Sequence, residues 1–329
     1  MISHPTRQRQ LRGPALTSPA RARRQHARLA GCLTERDRWI LRMCHEHRVL
    51  TTGQLTALGF GTGSAARRRL GRLRHQGVLD SFRPLRAIGS APAHWVLAPA
   101  GAAVLAAEAG LEVRDLGYRP DRALAIAHSL HLAHTLGVND WFTALATAAE
   151  PGMLLAWWSQ YRCHALWGDL ARPDGYGRFG SAATTLDFFL EFDLGTMTLS
   201  TVVAKLTGYA ELARTSAVIT PVLLWIPTLA REAAARKALR QRWSELTDPG
   251  TVPVATAAAE LVGDFAGAGP AQRVWLALEG TGGQRVPLAQ LASRWSRLTP
   301  APATVPISPT SRHAVLAPPS PRPPDAGSW

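Results

Sequence analysis

Between residues 172 and 209, two acidic side chains lie inside apolar runs that read as β-strands. No other feature constrains the fold as much. The stretch reads Arg172-Pro173-Asp174-Gly175, then Phe188-Phe189-Leu190-Glu191-Phe192-Asp193, then Ala204-Lys205-Leu206-Thr207-Gly208-Tyr209. An isolated carboxylate in an apolar strand is costly to bury unless a cation or a proton offsets it. The fold must therefore bring a compensating group to Glu191 and its acidic neighbours. Lys205 is the candidate, on a helix that Ser200 would cap and that carries Val203, Leu206, Tyr209, Ala210 and Ala213 at helical spacing.

The flanking segments give this stretch its frame. A long helical pattern begins at Asp121 and runs through Leu132, Leu136, Trp141 and Leu145 to Ala149. Leu154–Trp158 reads as a strand by its aromatic and aliphatic content. The unbroken apolar run between Pro221 and Pro227 reads as a strand buried on both faces. A helix over 229–246 and short strands or turns at 252–256, 273–278 and 285–288 close the region. The order is helix, strand, strand, strand, helix, strand, with an acid at the second strand and acids on the third. The class is α+β or α/β, and this order resembles the core of the restriction-endonuclease-like fold.

That resemblance implies a role for each residue. Asp174 and Glu191, with the Phe192 carbonyl, would hold Mg²⁺ or Mn²⁺ through hard oxygen ligands. The metal would polarise a scissile phosphate and activate a water, and a lysine would stabilise the developing charge. The usual pattern places that lysine two residues after the second acid on the same strand. Here the position holds Asp193, which shares a strand face with Glu191. Lys205 would have to reach in from the helix, on its long stem. The chain has only two lysines, Lys205 and Lys237, among 37 basic residues. The bland alternative makes Asp174 a turn residue in Pro-Asp-Gly, and makes Glu191 and Asp193 a structural pair neutralised by Lys205 and Arg172. His128, His131 and His134 are three apart and read as packed or hydrogen-bonded rather than as one ligand cluster.

Charge divides the chain sharply. Residues 1–100 hold 18 arginines against four acids, while residues 101–329 balance at 19 of each sign, so the net +14 belongs to the first third. Such asymmetry points to a polyanion-binding module joined to a neutral domain. Residues 1–33 read as a disordered basic arm able to touch phosphates. Thr34-Glu35-Arg36-Asp37 resembles a capping box and opens a helix with Trp39, Ile40, Met43 and His47 on one face. Thr52 starts a second short helix. After the turn at Gly59–Gly63, Ser64 opens a third helix that ends at Gly77. Leu70 and Leu73 face inward on it, and Arg67, Arg68, Arg69, Arg72 and Arg74 fill most other positions. Strands at 78–82 and 94–97 flank a loop that starts at Arg83 and includes Arg86. This is the pattern of a winged helix-turn-helix over residues 34–112. Residues 113–120 read as a linker, 121–299 as the restriction-endonuclease-like domain, and 300–329 as a Pro-rich disordered tail.

Other chemistries find little support. The Gly59–Gly63 run follows a helix rather than a strand, so no nucleotide or organic cofactor is expected. Cys32, Cys44 and Cys163 form no paired motif, as suits a reducing cytosol. Cys44, His45 and His47 lack a second matching pair for a metal site. No apolar run approaches the ~20 residues that span a bilayer. A cytoplasmic protein with no membrane contact is expected.

The order of motifs along the whole chain carries a second resemblance. Thr34–Asp37, Leu50-Thr51-Thr52-Gly53-Gln54-Leu55, the arginine helix, Gly137-Val138-Asn139-Asp140-Trp141-Phe142, Arg172–Gly175, Phe188–Asp193 and Ala204–Tyr209 together resemble the replication-relaxation family, over roughly residues 33–290. Its members are typically found on bacterial plasmids and integrative conjugative elements. The resemblance implies an accessory or initiator protein that binds double-stranded DNA and helps open or nick an origin. Metal-dependent nicking follows from the residue pattern rather than from the family. A second reading leaves the acidic domain non-catalytic, and has it bind a relaxase, a replication protein or another copy of the chain. A plain transcriptional regulator is the third.

Overall fold

The structure, a computed structural model, describes residues 29, 31–84, 91–148, 153–180, 184–262, 269–279, 283–299 and 316–324. Its first elements form where capping chemistry dictates. Helix α1 (Glu35–His47) starts at a complete capping box: Asp37 N donates to Thr34 Oγ at 3.3 Å, and Thr34 N donates to the Asp37 carboxylate at 2.8 Å. Strand β1 (Leu50–Thr51) leads directly into α2 (Thr52–Gly59). The cap of α2 is Thr51 rather than Thr52, with Gln54 completing a second box. Helix α3 (Gly63–His75) is capped by Thr62, whose Oγ accepts Ala65 N at 3.2 Å. Gly77, at φ +74°, makes the left-handed exit that favours glycine. Strands β2 (Leu79–Phe82) and β3 (His94–Leu97) pair antiparallel, and β1 joins the other edge of β3. Helix α4 (Pro99–Glu108) packs against this small sheet. A Cβ on Gly101 would lie 2.2 Å from the Val78 carbonyl oxygen, so only glycine permits the approach.

The second half is built on a six-stranded mixed sheet, in the order β4 (Met153–Ser159), β5 (Gly175–Gly180), β6 (Thr185–Phe192), β7 (Val222–Ile226), β8 (Val254–Ala258), β9 (Leu276–Ala277). β6, β7 and β8 run parallel, and the remaining neighbours are antiparallel. The helical run expected from Asp121 is broken. Helix α5 (Pro120–Ala125) gives way to a 3₁₀ turn, and α6 (Leu132–Thr147) starts afresh. Ser129 sits at the break, its Oγ accepting His131 N at 3.1 Å in place of a helical bond. Helix α7 (Gln160–Trp167) was not anticipated; Ser159 caps it by accepting Arg162 N at 3.2 Å. Helices α8 (Leu199–Ser216) and α9 (Leu229–Ser244) follow β6 and β7.

Alternation along the strands sorts the sheet's two faces. Phe188, Leu190, Leu223 and Trp225 join Trp141, Phe142 and Leu145 of α6 in one core cluster. Phe189, Val222 and Leu224 join Leu206 and Tyr209 of α8 and Leu239 of α9 in another. The fold is therefore a mixed α+β one, with helices on both faces of the large sheet. The first cluster also contains Trp39, Leu55, Leu70 and Trp95, so one apolar core runs through both halves.

Two expectations need correction. Residues 113–120 are not an independent linker: Leu116 is buried in the shared core and the Tyr118 hydroxyl donates to the Leu97 carbonyl at 3.2 Å. Within the Pro-rich tail, residues 316–324 dock on the body. Trp39 Nε1 donates to Ser320 O at 2.8 Å, Arg162 donates to Leu316 O at 2.6 Å, and Arg322 donates to Ala146 O at 3.0 Å. Two of these bonds use carbonyls of the segment, which its composition does not announce, and the third uses the Arg322 side chain. Among the described residues, no helix is long and apolar enough to cross a membrane. The basic arm (1–28) and Arg86 lie outside the described residues.

Candidate functional site

Asp174 enters the sheet one residue before β5, its N–H donating to Leu190 O at 2.9 Å. Its side chain is buried and fully engaged. Oδ2 accepts from Phe192 N at 2.9 Å and from His134 Nε2 at 3.1 Å, and Oδ1 accepts from Gln160 Nε2 at 3.1 Å. His134 Nε2 also lies 3.0 Å from Phe192 O. Burial on its own would lower the His134 pKa, but the bond to Asp174 and its charge raise it overall.

Glu191 points to the opposite face of the sheet from Phe192 and is 6% exposed. Lys205 Nζ donates to its Oε2, and the Tyr209 hydroxyl donates to its Oε1 at 2.5 Å. Burial, and next the Asp174 charge, push the Glu191 carboxyl up to about 7, against the pull of Lys205 and Tyr209. Burial would depress the Lys205 ammonium, yet the charges of Glu191 and Asp174 raise it. Asp193 is answered separately: Oδ1 accepts Gly195 N at 2.7 Å, and Oδ2 accepts Arg231 Nε of α9 at 2.6 Å. The structure thus gathers Asp174, Glu191 and Asp193 around the Lys205 charge, with Glu191 bonded to Lys205 and Asp193 bonded to Arg231. Arg172, expected as a neutralising partner, instead donates Nε to Gly168 O at 2.8 Å.

The donor set can be tested against a metal. Both oxygens of Asp174, both of Glu191 and the Phe192 carbonyl already meet protein donors. Among the described residues, no group of three or more His, Cys, Asp or Glu side chains is arranged to hold an ion. The arrangement does not fit a metal without releasing Lys205 and Tyr209 from Glu191. What it does fit is a protonatable carboxylate, poised near neutral pH beside a permanent ammonium.

His134, Gln160, Tyr209 and Arg231 complete this cluster. Tyr209 carried a signal, four residues after Lys205 on the same helix face. His134 is hydrogen-bonded, as one of its two sequence readings had it. Gln160 and Arg231 depend on how α7 and α9 dock, which their local sequence does not encode.

The arginine helix tells a different story. Ala66, Leu70 and Leu73 of α3 are buried, while Arg67, Arg68, Arg72 and Arg74 are exposed. Arg69 is withdrawn from that face: its Nε donates to the buried Asp37 at 2.7 Å, and its terminal nitrogen bonds the other carboxylate oxygen. Burial alone would raise the Asp37 carboxyl, but Arg69 and Thr34 lower it overall. Arg74 lies 3.5 Å from Asp80, and Arg83 donates to Ala91 O at 2.6 Å.

The chain is a mixed α+β protein with a basic helix at one end and a charge-compensated acidic cluster in its main sheet. Residues 41–223 match the model of the replication-relaxation family, more than half of the chain, and the chain belongs to that family. Membership suggests a role in the replication or transfer of a plasmid or similar element. Comparison with curated proteins and with solved structures finds no match.

Proposed function

We propose that the chain is a double-stranded DNA-binding protein acting at a plasmid or conjugative-element origin. Residues 34–112 are on this reading a winged helix-turn-helix, and residues 121–299 a restriction-endonuclease-like domain. The observation that carries the reading is α3, with an apolar face in the core and Arg67, Arg68, Arg72 and Arg74 presented outward. A helix of this width enters the major groove, where arginine reads guanine edges in bidentate fashion. Arg74 and Arg83, at the flanks, suit phosphates. Fluorescence anisotropy on origin duplexes tests this directly. Saturable, salt-dependent binding is expected, with affinity falling steeply as salt rises; salt-independent binding, or none, sinks it.

The acidic domain, on this proposal, does not cut DNA through a bound metal. Its carboxylates Asp174 and Glu191 are held by Lys205, Tyr209, His134 and Gln160. Supercoiled plasmid incubated with the protein and Mg²⁺ or Mn²⁺ is expected to stay supercoiled. Nicking by the wild type that Glu191→Ala abolishes would replace this reading with the catalytic one.

A further inference from the structure

Residues 316–324 read Leu-Ala-Pro-Pro-Ser-Pro-Arg-Pro-Pro, with proline at five of nine positions. Proline fixes φ near −65° and removes a backbone donor, so such a segment builds no helix or sheet of its own. Among the described residues, no backbone–backbone hydrogen bond ties it to the body. It lies instead across α1, α2, α6 and α7, held by side chains. Trp39 Nε1 of α1 donates to Ser320 O at 2.8 Å, and Arg162 of α7 donates to Leu316 O at 2.6 Å. In the other direction, Arg322 donates Nε and a terminal nitrogen to Ala146 O, at 3.2 and 3.0 Å. Ala146 belongs to the last turn of α6, where carbonyls lack helical partners and a cation meets the negative end of the helix dipole.

Burial alternates along the segment. Pro319 and Pro321 are buried, whereas Ala317, Ser320, Arg322 and Pro324 are exposed. Leu316 packs against the shared core. Pro323 reaches the end of α2, where a Cβ on Gly59 would stand 3.6 Å from its Cγ and 3.0 Å from the Trp39 ring. The body thus offers two proline seats, an indole donor for the carbonyl between them, and a helix-end carbonyl for the cation that follows. Aromatic-lined grooves take proline-rich peptides in this manner, because a chain already stiffened by proline loses little freedom on docking. Removing the segment leaves no buried charge alone: Arg162 keeps its bonds to Glu46 at 3.0 and 2.7 Å. The attachments are those of a ligand rather than of a core element.

We propose that this groove is a docking site for a proline-rich peptide of a partner protein, of the pattern Pro-x-Pro-Arg, and that residues 316–324 occupy it when that partner is absent. The partner's prolines take the seats of Pro319 and Pro321, and its arginine takes the Ala146 carbonyl. The chain's own segment is tethered, so it competes at high local concentration and sets the affinity a partner must exceed. The assignment does not rest on the DNA-binding reading. The groove adjoins the turn after α2, so a docked partner stands beside the arginine helix.

A labelled synthetic peptide of residues 316–324, titrated with full-length protein and read by fluorescence anisotropy, tests this. The full-length Pro319→Asp, Pro321→Asp variant, whose own segment is loosened, is expected to saturate one site. The wild type should bind the peptide about tenfold or more weakly than that variant, because its own segment competes. Full-length Arg322→Ala, changed at an exposed residue, should fall between the two with an unchanged melting temperature. On the loosened variant, a peptide carrying Arg322→Ala should bind about tenfold more weakly. Adding Trp39→Phe to that variant should weaken the unmodified peptide about fivefold. Equal peptide affinity in all three chains would place the peptide elsewhere and overturn the assignment. So would a loosened variant that melts cooperatively yet binds no peptide, or one that no longer melts cooperatively, since either makes the segment part of the core. A concentration-dependent wild-type dimer that the peptide dissolves would give the groove to a second copy's tail and overturn the partner assignment.

Discussion

Two regions of this molecule handle charge in opposite ways. Along α3, four arginines stand exposed over an apolar face, and three of them, Arg67, Arg68 and Arg72, form no ion pair among the described residues. Around the large sheet, Glu46, Asp174, Glu191, Asp193 and Glu232 are buried, and each has a basic partner on another element. Exposed charge that costs little to hold is available to a partner. Buried charge that must be answered internally serves the fold, because removing one member leaves the other desolvated and alone. The difference separates where this chain meets a polyanion from where it spends its ionic interactions on its own architecture.

The sharpest way to break the comparison is at the seam. Arg162 holds the buried Glu46 through bonds of 3.0 and 2.7 Å, and Glu46 also accepts Ser159 N at 3.0 Å. Arg162→Ala is expected to cost about 3–5 kcal/mol of stability, read by urea denaturation. A loss below about 1 kcal/mol would mean that compensation is not what the pair provides. Next comes the exposed helix. Arg68→Glu with Arg72→Glu should weaken duplex binding by about a hundredfold or more, while stability moves by no more than about 0.5 kcal/mol. Unchanged affinity would remove α3 from the interface.

Proton linkage at Glu191 gives the third effect. Its folded-state carboxyl is raised to about 7 from an ordinary 4.5, so its contribution is fully present below pH 4.5 and is lost as pH rises to about 7. Stability is expected to fall across that window by on the order of 2–3 kcal/mol. Glu191→Gln, which cannot ionise, should flatten this part of the profile in pH-resolved thermal melts; an unchanged slope would assign the linkage elsewhere. The smallest effect tests the boundary case. Arg69 lies on α3 but belongs to the compensated class through Asp37. Arg69→Ala should cost about 1–3 kcal/mol and leave duplex affinity within about twofold, the reverse of the Arg68 and Arg72 pattern. Anisotropy and denaturation on the same sample decide it.

How much of this could be read beforehand varies with the range of the interaction. Lys205 is legible in the sequence because a buried acid demands a cation, and the helix after β6 offers only Lys205 before its last turn, where Arg214 sits. Helix α3 and its inward leucines followed from spacing within a dozen residues. The cation for Asp193 did not follow, because Arg231 lies 38 positions away and arrives only when α9 docks on the sheet. Nor did the withdrawal of Arg69, since its neighbours in sequence look the same and only Asp37, across the fold, distinguishes it. Helix α7 was missed because its eight residues are too few to show a period against the turn that follows. The winged helix and the nuclease-like core remain readings of element order, and the DNA-binding and plasmid-relaxation measurements above decide them.

The docked segment 316–324 has a consequence for synthesis. Trp39 leaves the ribosome long before its partner, because the carbonyl that accepts its indole proton comes 281 positions later. Contacts of such separation in the chain are the last to close and the slowest to form. The packing of α1 is therefore completed late, and a nascent chain halted before residue 316 carries its basic helix without the clasp that seats α1.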